Sequence, residues 1–267
     1  MKTGLINKHV LITGASGGIG IQTVKSLLKE RSEVSACYHT RRRQLNQLSD
    51  KYPDSLNLVK ADVKHEDEVA ALYESAVSRF GRVDVSIANA GIANATPVGI
   101  HEMTVEQWDN TLRVNLRGAF LTAKYFFKNL EDNPDEDASL ILVGSTAGVF
   151  GEAWFADYST SKAGMTGLMM SLKNEIVQIA PRGRVNIVNP GWTSTPMAEE
   201  ALEDRNRLSS ILQTIPMRKV ATPSDITNAI LYLASDTLSG HVSGQTITVA
   251  GGMEGRVLFS KEDAVRD

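Results

Sequence analysis

The chain has 267 residues, of which 42% are hydrophobic and 22% charged, enough to bury a core unaided. Its formal net charge of −3 excludes the basic field that a nucleic acid or an anionic membrane would attract, so the expected partners are small molecules or further copies of the chain. With five histidines and one cysteine, we expect no metal site and no internal disulfide.

The sequence also bears on the compartment of the protein. The apolar run that follows Lys8, Val10 to Ile12, is too short for the core of a signal peptide. No stretch reaches the roughly 18 consecutive apolar residues that a membrane span requires. Cys37 has apolar neighbours, which favours an inert buried thiol in a reducing compartment. We therefore predict a cytoplasmic protein.

Short β-branched runs alternate with longer helical patterns from end to end. This alternation predicts an α/β fold, a Rossmann-type doubly wound parallel sheet of about seven strands with helices on both faces. We expect residues 1–267 to form a single domain, whose tail, 253–267, has no assigned role. The predicted strands are His9–Thr13, Glu33–Cys37, Leu56–Lys60, Val83–Ala88, Ser139–Gly144, Arg184–Val188 and Thr246–Val249.

Two helix starts carry capping signals, and one acidic segment has the composition of a loop. Thr104 with Gln107 resembles a capping box, and Thr222 is followed by a first-turn proline and by Asp225. The stretch 131–137, which contains a proline, predicts a solvated loop before the fifth strand.

A glycine-rich turn follows the first predicted strand. Residues 13–20 read T-G-A-S-G-G-I-G and lead directly into an amphipathic helix. Gly14 allows the turn, Gly18 lets the backbone approach a phosphate, and Gly20 lets the helix pack near the strand. The helix N-terminus then favours a pyrophosphate. The spacing differs from the standard G-x-G-x-x-G, so the loop alone leaves a purely structural turn open.

The residues after the second predicted strand bear on the choice of dinucleotide. An acid there would hold the ribose 2′-hydroxyl of NAD and repel a 2′-phosphate. The chain instead reads C-Y-H-T-R-R-R over residues 37–43, with Thr40 as the expected N-cap of the next helix. Three arginines in a first turn oppose the helix dipole unless an anion lies among them. We predict NADP, with NAD as the alternative, and expect Arg43 to point to solvent.

Tyr158 is followed four residues later by Lys162, and Ser145 lies thirteen residues before the tyrosine. Positions i and i+4 share a helix face, so the ammonium can lie beside the phenol. A cation at about 4 Å supplies on the order of the 4 kcal/mol needed to bring a tyrosine pKa of about 10 near neutrality. By itself the pair is equally typical of a surface tyrosine packed along a lysine stem.

Together these motifs resemble the short-chain dehydrogenase/reductase family in its common single-domain form, over residues 8–252. Further marks are Asp62-Val63, Asn89-Ala-Gly91, Asn115 in a long helix, and Asn189-Pro-Gly191 followed by Thr195. The resemblance implies an NADP(H)-dependent oxidoreductase of the carbonyl reductase type, which transfers a hydride between nicotinamide and a carbonyl or secondary alcohol. It also implies a homotetramer or homodimer.

The resemblance assigns a role to each matched residue. Tyr158 would exchange a proton with the substrate oxygen, Ser145 would hydrogen-bond that oxygen, and Lys162 would lower the tyrosine pKa and hold the nicotinamide ribose. Asn115 would fix a water that links the lysine to solvent. The cofactor-binding residues that it implies are Gly14, Ser16, Gly17, Gly18, Ile19, Gly20, His39, Thr40, Arg41, Asp62, Val63, Asn89, Ala90, Gly91, Tyr158, Lys162, Pro190, Gly191, Thr193 and Thr195.

Two loops beyond the strand ends, about 147–157 and 192–217, are expected to bind the substrate. Their apolar side chains suit a hydrophobic ketone or aldehyde, and Trp154 and Trp192 join Ser145 and Tyr158 as the predicted substrate contacts. Packing within the loops or against another subunit would use the same side chains.

Many NADP-using relatives carry Arg or Lys at the position of Gly17, so phosphate recognition here falls to His39, Thr40 and Arg41.

Other functions stay open. A non-catalytic NADP-binding regulator usually lacks the tyrosine or lysine, and both are present. An NAD-dependent alcohol dehydrogenase of the same fold is a further alternative. An enoyl reductase of this superfamily typically separates its tyrosine and lysine by a longer interval, and sugar-nucleotide epimerases have a different glycine spacing.

Overall fold

The computed structural model describes residues 2–94, 96–260 and 263. Seven parallel strands form one sheet in the order β3-β2-β1-β4-β5-β6-β7. This is the Rossmann-type α/β fold that the sequence predicts. The strands are β1 His9–Ile12, β2 Glu33–Tyr38, β3 Leu56–Lys60, β4 Val85–Ala88, β5 Asp137–Val143, β6 Arg182–Pro190 and β7 Thr246–Val249, each within two residues of its predicted bounds at either end.

Helices fill the connections between the strands. No helix in the described part of the chain is long and apolar enough to cross a bilayer. The helices are α1 Gly18–Lys29, α2 Arg43–Lys51, α3 Glu66–Phe80, α4 Val105–Leu112, α5 Gly118–Asp132, α6 Ala147–Phe150, α7 Ala156–Glu175, α8 Glu199–Glu203, α9 Arg205–Leu212, α10 Pro223–Ala234 and α11 Asp236–Ser239. The exposed loop between α5 and β5 falls in the predicted acidic segment.

Both faces of the sheet are covered by helices. In β1, Leu11 belongs to a core formed with α3, α5 and α7, whereas Val10 and Ile12 belong to a second core formed with α1 and α10. A strand buried on both faces needs apolar residues at successive positions, which explains the continuous apolar runs in the sequence. Between β1 and β4 the connections leave in opposite directions along the sheet, which opens a crevice at the carboxyl ends of the strands.

The predicted caps are confirmed at two helices and wrong at a third. The Thr104 side chain accepts a hydrogen bond from the backbone N–H of Gln107, and Thr222 forms a complete capping box. Thr40 does not cap α2, because the chain bends after β2 and the helix begins only at Arg43, with Arg42 as the N-cap. One arginine rather than three therefore lies in the first turn.

The long helix expected around Asn115 is interrupted. A π-helical turn covers Arg113–Arg117, between the end of α4 and the start of α5. Such turns hold one extra residue and are frequent at functional sites. The Asn115 side chain is fully buried.

Cys37 is buried in β2, as expected. Burial raises the pKa of its thiol to about 12, against hydrogen bonding with the backbone of Gly14 and Ala61. The thiol therefore stays protonated near neutral pH and is inert.

Candidate active site

The glycine loop joins β1 to α1 at the crevice. Gly14 has a φ of +64°, in the left-handed region that favours glycine. A Cβ on Gly14 would lie 2.7 Å from the backbone of Ala90, and one on Gly20 would lie 2.2 Å from the carbonyl oxygen of Gly14. Because α1 begins at Gly18, the N–H groups of its first turn have no acceptor within the helix. They form a donor set suited to a pyrophosphate.

Asn89, at the end of β4, ties the glycine loop to the neighbouring loop. Its side-chain amide donates to the carbonyl oxygens of Thr13 and Gly14, both at 3.0 Å. The Thr13 hydroxyl in turn accepts the backbone N–H groups of Asn89 and Ala90, both at 3.2 Å. Asn89 therefore shapes the glycine loop, and the cofactor contact that the resemblance implies for it stays a prediction.

The far end of the crevice carries the cationic segment 39–43, which is exposed throughout, and Arg43 points to solvent as expected. An acid from a different strand lies next to this segment. The Asp62 carboxylate, beyond the end of β3, is 3.6 Å from the His39 ring and 3.4 Å from the Lys64 ammonium. Partial burial would raise the pKa of Asp62, but the N–H and ammonium of Lys64 and the His39 ring outweigh it and hold the pKa below its ordinary value. His39 thus has a carboxylate partner within the chain.

Ser145, Tyr158 and Lys162 come together beyond the end of β5. The Ser145 hydroxyl lies close enough to the Tyr158 phenol to lower the pKa of the phenol by hydrogen bonding. The Lys162 Nζ lies 5.8 Å from the centroid of the tyrosine ring and donates to the carbonyl oxygen of Val143 at 2.8 Å. The arrangement of a phenol between a hydroxyl and an amine, expected from the spacing, is present.

The pKa of the tyrosine differs from the expected direction. Burial raises the pKa of the Tyr158 phenol above its ordinary value, and the hydrogen bond with Ser145 offsets only part of this effect. Burial also lowers the pKa of the Lys162 amine from 10.5 to about 8. In the protein without bound cofactor the tyrosine pKa is therefore not lowered, because burial of the phenol dominates, and the part assigned to Lys162 stays a prediction.

Asn115 lies near Lys162, and both the oxygen and the nitrogen of its side-chain amide are hydrogen-bonded. Its Oδ1 accepts the backbone N–H of Ile92 at 2.8 Å, and its Nδ2 donates to the Ile92 carbonyl at 2.9 Å and to the Ser161 hydroxyl at 3.0 Å. A Cβ on Gly91 would lie 3.3 Å from the Lys162 Nζ and 3.4 Å from the Asn115 Oδ1. Asn115 therefore positions the loop after β4 beside the lysine, and the water expected at this place stays a prediction.

Asp157, which the sequence analysis did not select, is fully buried beside Tyr158. One oxygen accepts from Asn94 at 2.6 Å, Thr111 at 2.8 Å and Gln107 at 3.3 Å. The other accepts the backbone N–H of Tyr158 at 2.8 Å. The carboxylate therefore joins α7 to α4 and to the loop after β4. An acid in the first turn of a helix is common for dipole reasons, so the sequence carried no signal for this role.

The loop after β6 meets the glycine loop from the opposite side. A Cβ on Gly18 would lie 2.6 Å from the Thr195 side chain, and one on Gly191 would lie 2.7 Å from Ala250. Thr193 is buried, and its hydroxyl donates to the Gly191 carbonyl at 2.8 Å. The bare glycines and free helix N–H groups fit a nicotinamide dinucleotide, and the individual contacts predicted for it, from Pro190 to Thr195 and elsewhere, stay predictions.

Comparison with known proteins agrees with this geometry. Residues 14–254 match the model of a protein family described as enoyl-(acyl carrier protein) reductase. An acetoacetyl-CoA reductase from Acinetobacter sp. is 33% identical over 254 residues, which cover 92% of this chain and 97% of the relative. The chain belongs to the short-chain dehydrogenase/reductase family.

Two further relatives support the same family. A 3-oxoacyl-(acyl-carrier-protein) reductase from Thermotoga maritima is 32% identical over 256 residues, 93% of this chain and 98% of the relative. A solved structure from Brucella melitensis, titled a short-chain dehydrogenase/reductase of the glucose/ribitol dehydrogenase type, is 30% identical with a TM-score of 0.84, covering 94% of this chain and 98% of that one. As a short-chain dehydrogenase/reductase, the protein is an oxidoreductase.

In this short-chain dehydrogenase/reductase the two predicted substrate tryptophans have different surroundings. Trp154 is 61% exposed and has a left-handed φ of +71°, and its carbonyl accepts the Val98 N–H at 2.9 Å. Trp192 is half-buried, and its carbonyl accepts the Ala221 N–H at 2.9 Å. Substrate contact stays a prediction for both, with Trp154 the more accessible.

Proposed function

We propose that the protein is an NADPH-dependent carbonyl reductase that converts a ketone or aldehyde to an alcohol. The observation that carries the proposal is the hydroxyl, phenol and amine of Ser145, Tyr158 and Lys162, gathered beyond the sheet edge that also bears the glycine loop. When bound, the nicotinamide would supply the hydride. The residues of the chain would supply and replace the proton.

Tyr158 carries the proton that reduction of a carbonyl requires. With its pKa above the ordinary value, the phenol is protonated at neutral pH and serves as a proton donor to the substrate oxygen. Ser145 holds the phenol and would hydrogen-bond the same oxygen. The Lys162 amine, with a pKa of about 8, exchanges protons near neutral pH and would return one to the tyrosine.

The test is loss of NADPH absorbance with a panel of ketones, aldehydes and 3-oxoacyl thioesters, the last included because two relatives are named as reductases of such compounds. We expect turnover of at least one class, and a loss of about 10²- to 10⁴-fold in Tyr158→Phe while NADPH still binds. Tight NADPH binding without turnover of any carbonyl would instead support a non-catalytic regulator.

The choice of NADPH over NADH rests on His39, Thr40 and Arg41. Arg42 lies over the Tyr38 ring at 5.8 Å, so a guanidinium next to Arg41 is held at the end of β2. We expect Arg41→Ala to weaken NADPH binding about tenfold, or about 1.4 kcal/mol, and to leave NADH binding unchanged. Arg43→Ala is the matched control. Equal affinity for the two cofactors, unchanged in Arg41→Ala, would support the NAD-dependent alternative.

We further propose a homo-oligomer formed through α5 and α7. The π-helical turn and the helices beside it line an open groove of about 350 Å³. Phe120 on α5 is 46% exposed, and Met170 on α7 is 49% exposed. Analytical ultracentrifugation should show a dimer or tetramer that dissociates in a Phe120→Glu, Met170→Glu variant. A wild-type monomer would refute the proposal. The cytoplasmic location stays a prediction.

A further inference from the structure

The C-terminal tail, to which the sequence assigned no role, lies across both substrate loops over its described residues 253–260. Gly255 contacts the first loop, since a Cβ there would lie 3.0 Å from the Phe150 ring. At the second loop the Leu258 N–H donates to the Gln213 carbonyl, and the Gln213 side chain donates to the Phe259 carbonyl, both at 2.8 Å. The tail therefore bridges the two loops.

A stack between Phe259 and Arg218 anchors the distal end of this bridge. The guanidinium lies 4.0 Å from the centroid of the phenyl ring, well within the range of a cation–π contact. The contact is opposed by two features of the arginine. Arg218 adopts a left-handed φ of +48°, and its Nη1 is the buried side-chain atom that lacks a hydrogen-bond partner among the described residues. Both features weaken the docked arrangement.

The docked tail restricts the movement of Phe150. This phenylalanine ends α6, the short helix that begins two residues after Ser145, and it is 42% exposed. Because Gly255 already packs against the ring, the ring cannot move toward the tail without displacing it. A substrate whose far substituent needs that space must release the tail from its anchor.

We propose that residues 253–260 form a wall of the substrate cleft and that the Phe259–Arg218 stack sets the size of substituent admitted beside Phe150. This inference rests on the proposed carbonyl reductase function. It assigns specificity for the group attached to the carbonyl carbon to a segment beyond the two loops that the sequence singles out.

The test compares two ketones, one with a small and one with a bulky branched substituent, in variants that loosen the wall from either end. Gly255→Ala pushes the tail off Phe150, and Phe259→Ala removes the anchor. In both we expect the ratio of kcat/KM for the bulky ketone to that for the small ketone to rise about threefold or more. The Kd for NADPH should not change. Arg256→Ala is the control, because Arg256 is exposed and, among the residues that the structure describes, pairs with Glu254 alone.

A second variant separates the wall from general damage to the fold. Arg218→Gly removes the guanidinium and suits the left-handed backbone, so it should keep the stability of the wild type while raising the same ratio. Adding Phe259→Ala to it should change the ratio no further, since the two residues act through one contact.

An unchanged substrate ratio in both Gly255→Ala and Phe259→Ala would overturn the proposal. If the wild type reduces no carbonyl, the proposed function fails, and hydrogen exchange then decides whether the wall exists. The Leu258 amide, bonded to Gln213, should lose protection by about tenfold in Phe259→Ala. Retained protection would show that Phe259 does not anchor the tail and would refute the wall.

Discussion

Replacing Lys162 by Met should stabilise the protein at neutral pH while abolishing its activity. The pKa of the buried amine falls from 10.5 to about 8. At about 1.4 kcal/mol per pH unit, the charged form costs the folded state about 3 kcal/mol at pH 7. Loss of the hydrogen bond to the Val143 carbonyl destabilises the variant by about 1 kcal/mol. Without cofactor, Lys162→Met should therefore be more stable by about 2 kcal/mol.

The pH dependence gives this prediction its signature. Because the folded pKa lies below the unfolded one, the unfolded wild type binds more protons between about pH 8 and pH 10.5. Wild-type stability should rise through that window relative to the variant, and the difference should vanish near about pH 10. Urea unfolding at several pH values, followed by circular dichroism, measures it.

Lys25→Met is the control for Lys162→Met. Lys25 is exposed on α1, so its replacement removes a lysine from the surface and leaves the buried amine in place. The reasoning is refuted if Lys162→Met is less stable than the wild type at pH 7, or if its difference from the wild type is the same at pH 7 and pH 10. Either result would mean that the amine is not significantly desolvated.

Three further predictions concern stability and binding. Asp157→Ala should lower the free energy of unfolding by about 3–5 kcal/mol, because it leaves buried donors without their acceptor. Asp50→Ala, at an exposed position, is the control, and the prediction is contradicted if the losses of stability in the two variants differ by less than about 1 kcal/mol. Burial lowers the pKa of His9 from 6.5, against backbone hydrogen bonds that would raise it, so the unfolded chain binds more protons as the pH falls. Stability should drop as the pH falls below about 6.5, and a His9→Gln variant with the same slope in urea unfolding would rule this out. Gly20→Ala places a Cβ 2.2 Å from a loop carbonyl, so fluorescence titration should show NADPH affinity reduced at least about tenfold, and an unchanged affinity would exclude the glycine loop from phosphate binding.

The strands and the catalytic spacing could be predicted because their signals are local. A strand buried on both faces requires an apolar run, and Tyr158 and Lys162 share a helix face by periodicity alone. The glycine loop could be predicted for the same reason. Glycine suits the left-handed backbone of Gly14 and the close approach of Gly20 to the Gly14 carbonyl. These features depend on neighbours within a few residues.

The remainder depends on contacts between segments distant in the sequence. Asp157 acquires its importance from Asn94 and Thr111, which other elements bring to it. The direction of the tyrosine pKa was wrong because the charge of Lys162 is visible in the sequence, whereas the desolvation of both groups is a property of the packed site. The late start of α2 depends on a bend after β2 that no residue type dictates.

The π-helical turn Arg113–Arg117 sets the rotational phase of two helices independently. Each residue advances an α-helix by about 100°, so one additional residue turns everything after it by that amount about the axis. α4 can thus direct Gln107 and Thr111 at Asp157, while α5 directs Phe126 into the core. Deleting one residue of the turn would make a more regular helix, but it would align one of the two faces only by rotating the other out of place. The irregular turn is what lets one stretch of chain serve both the active site and the core.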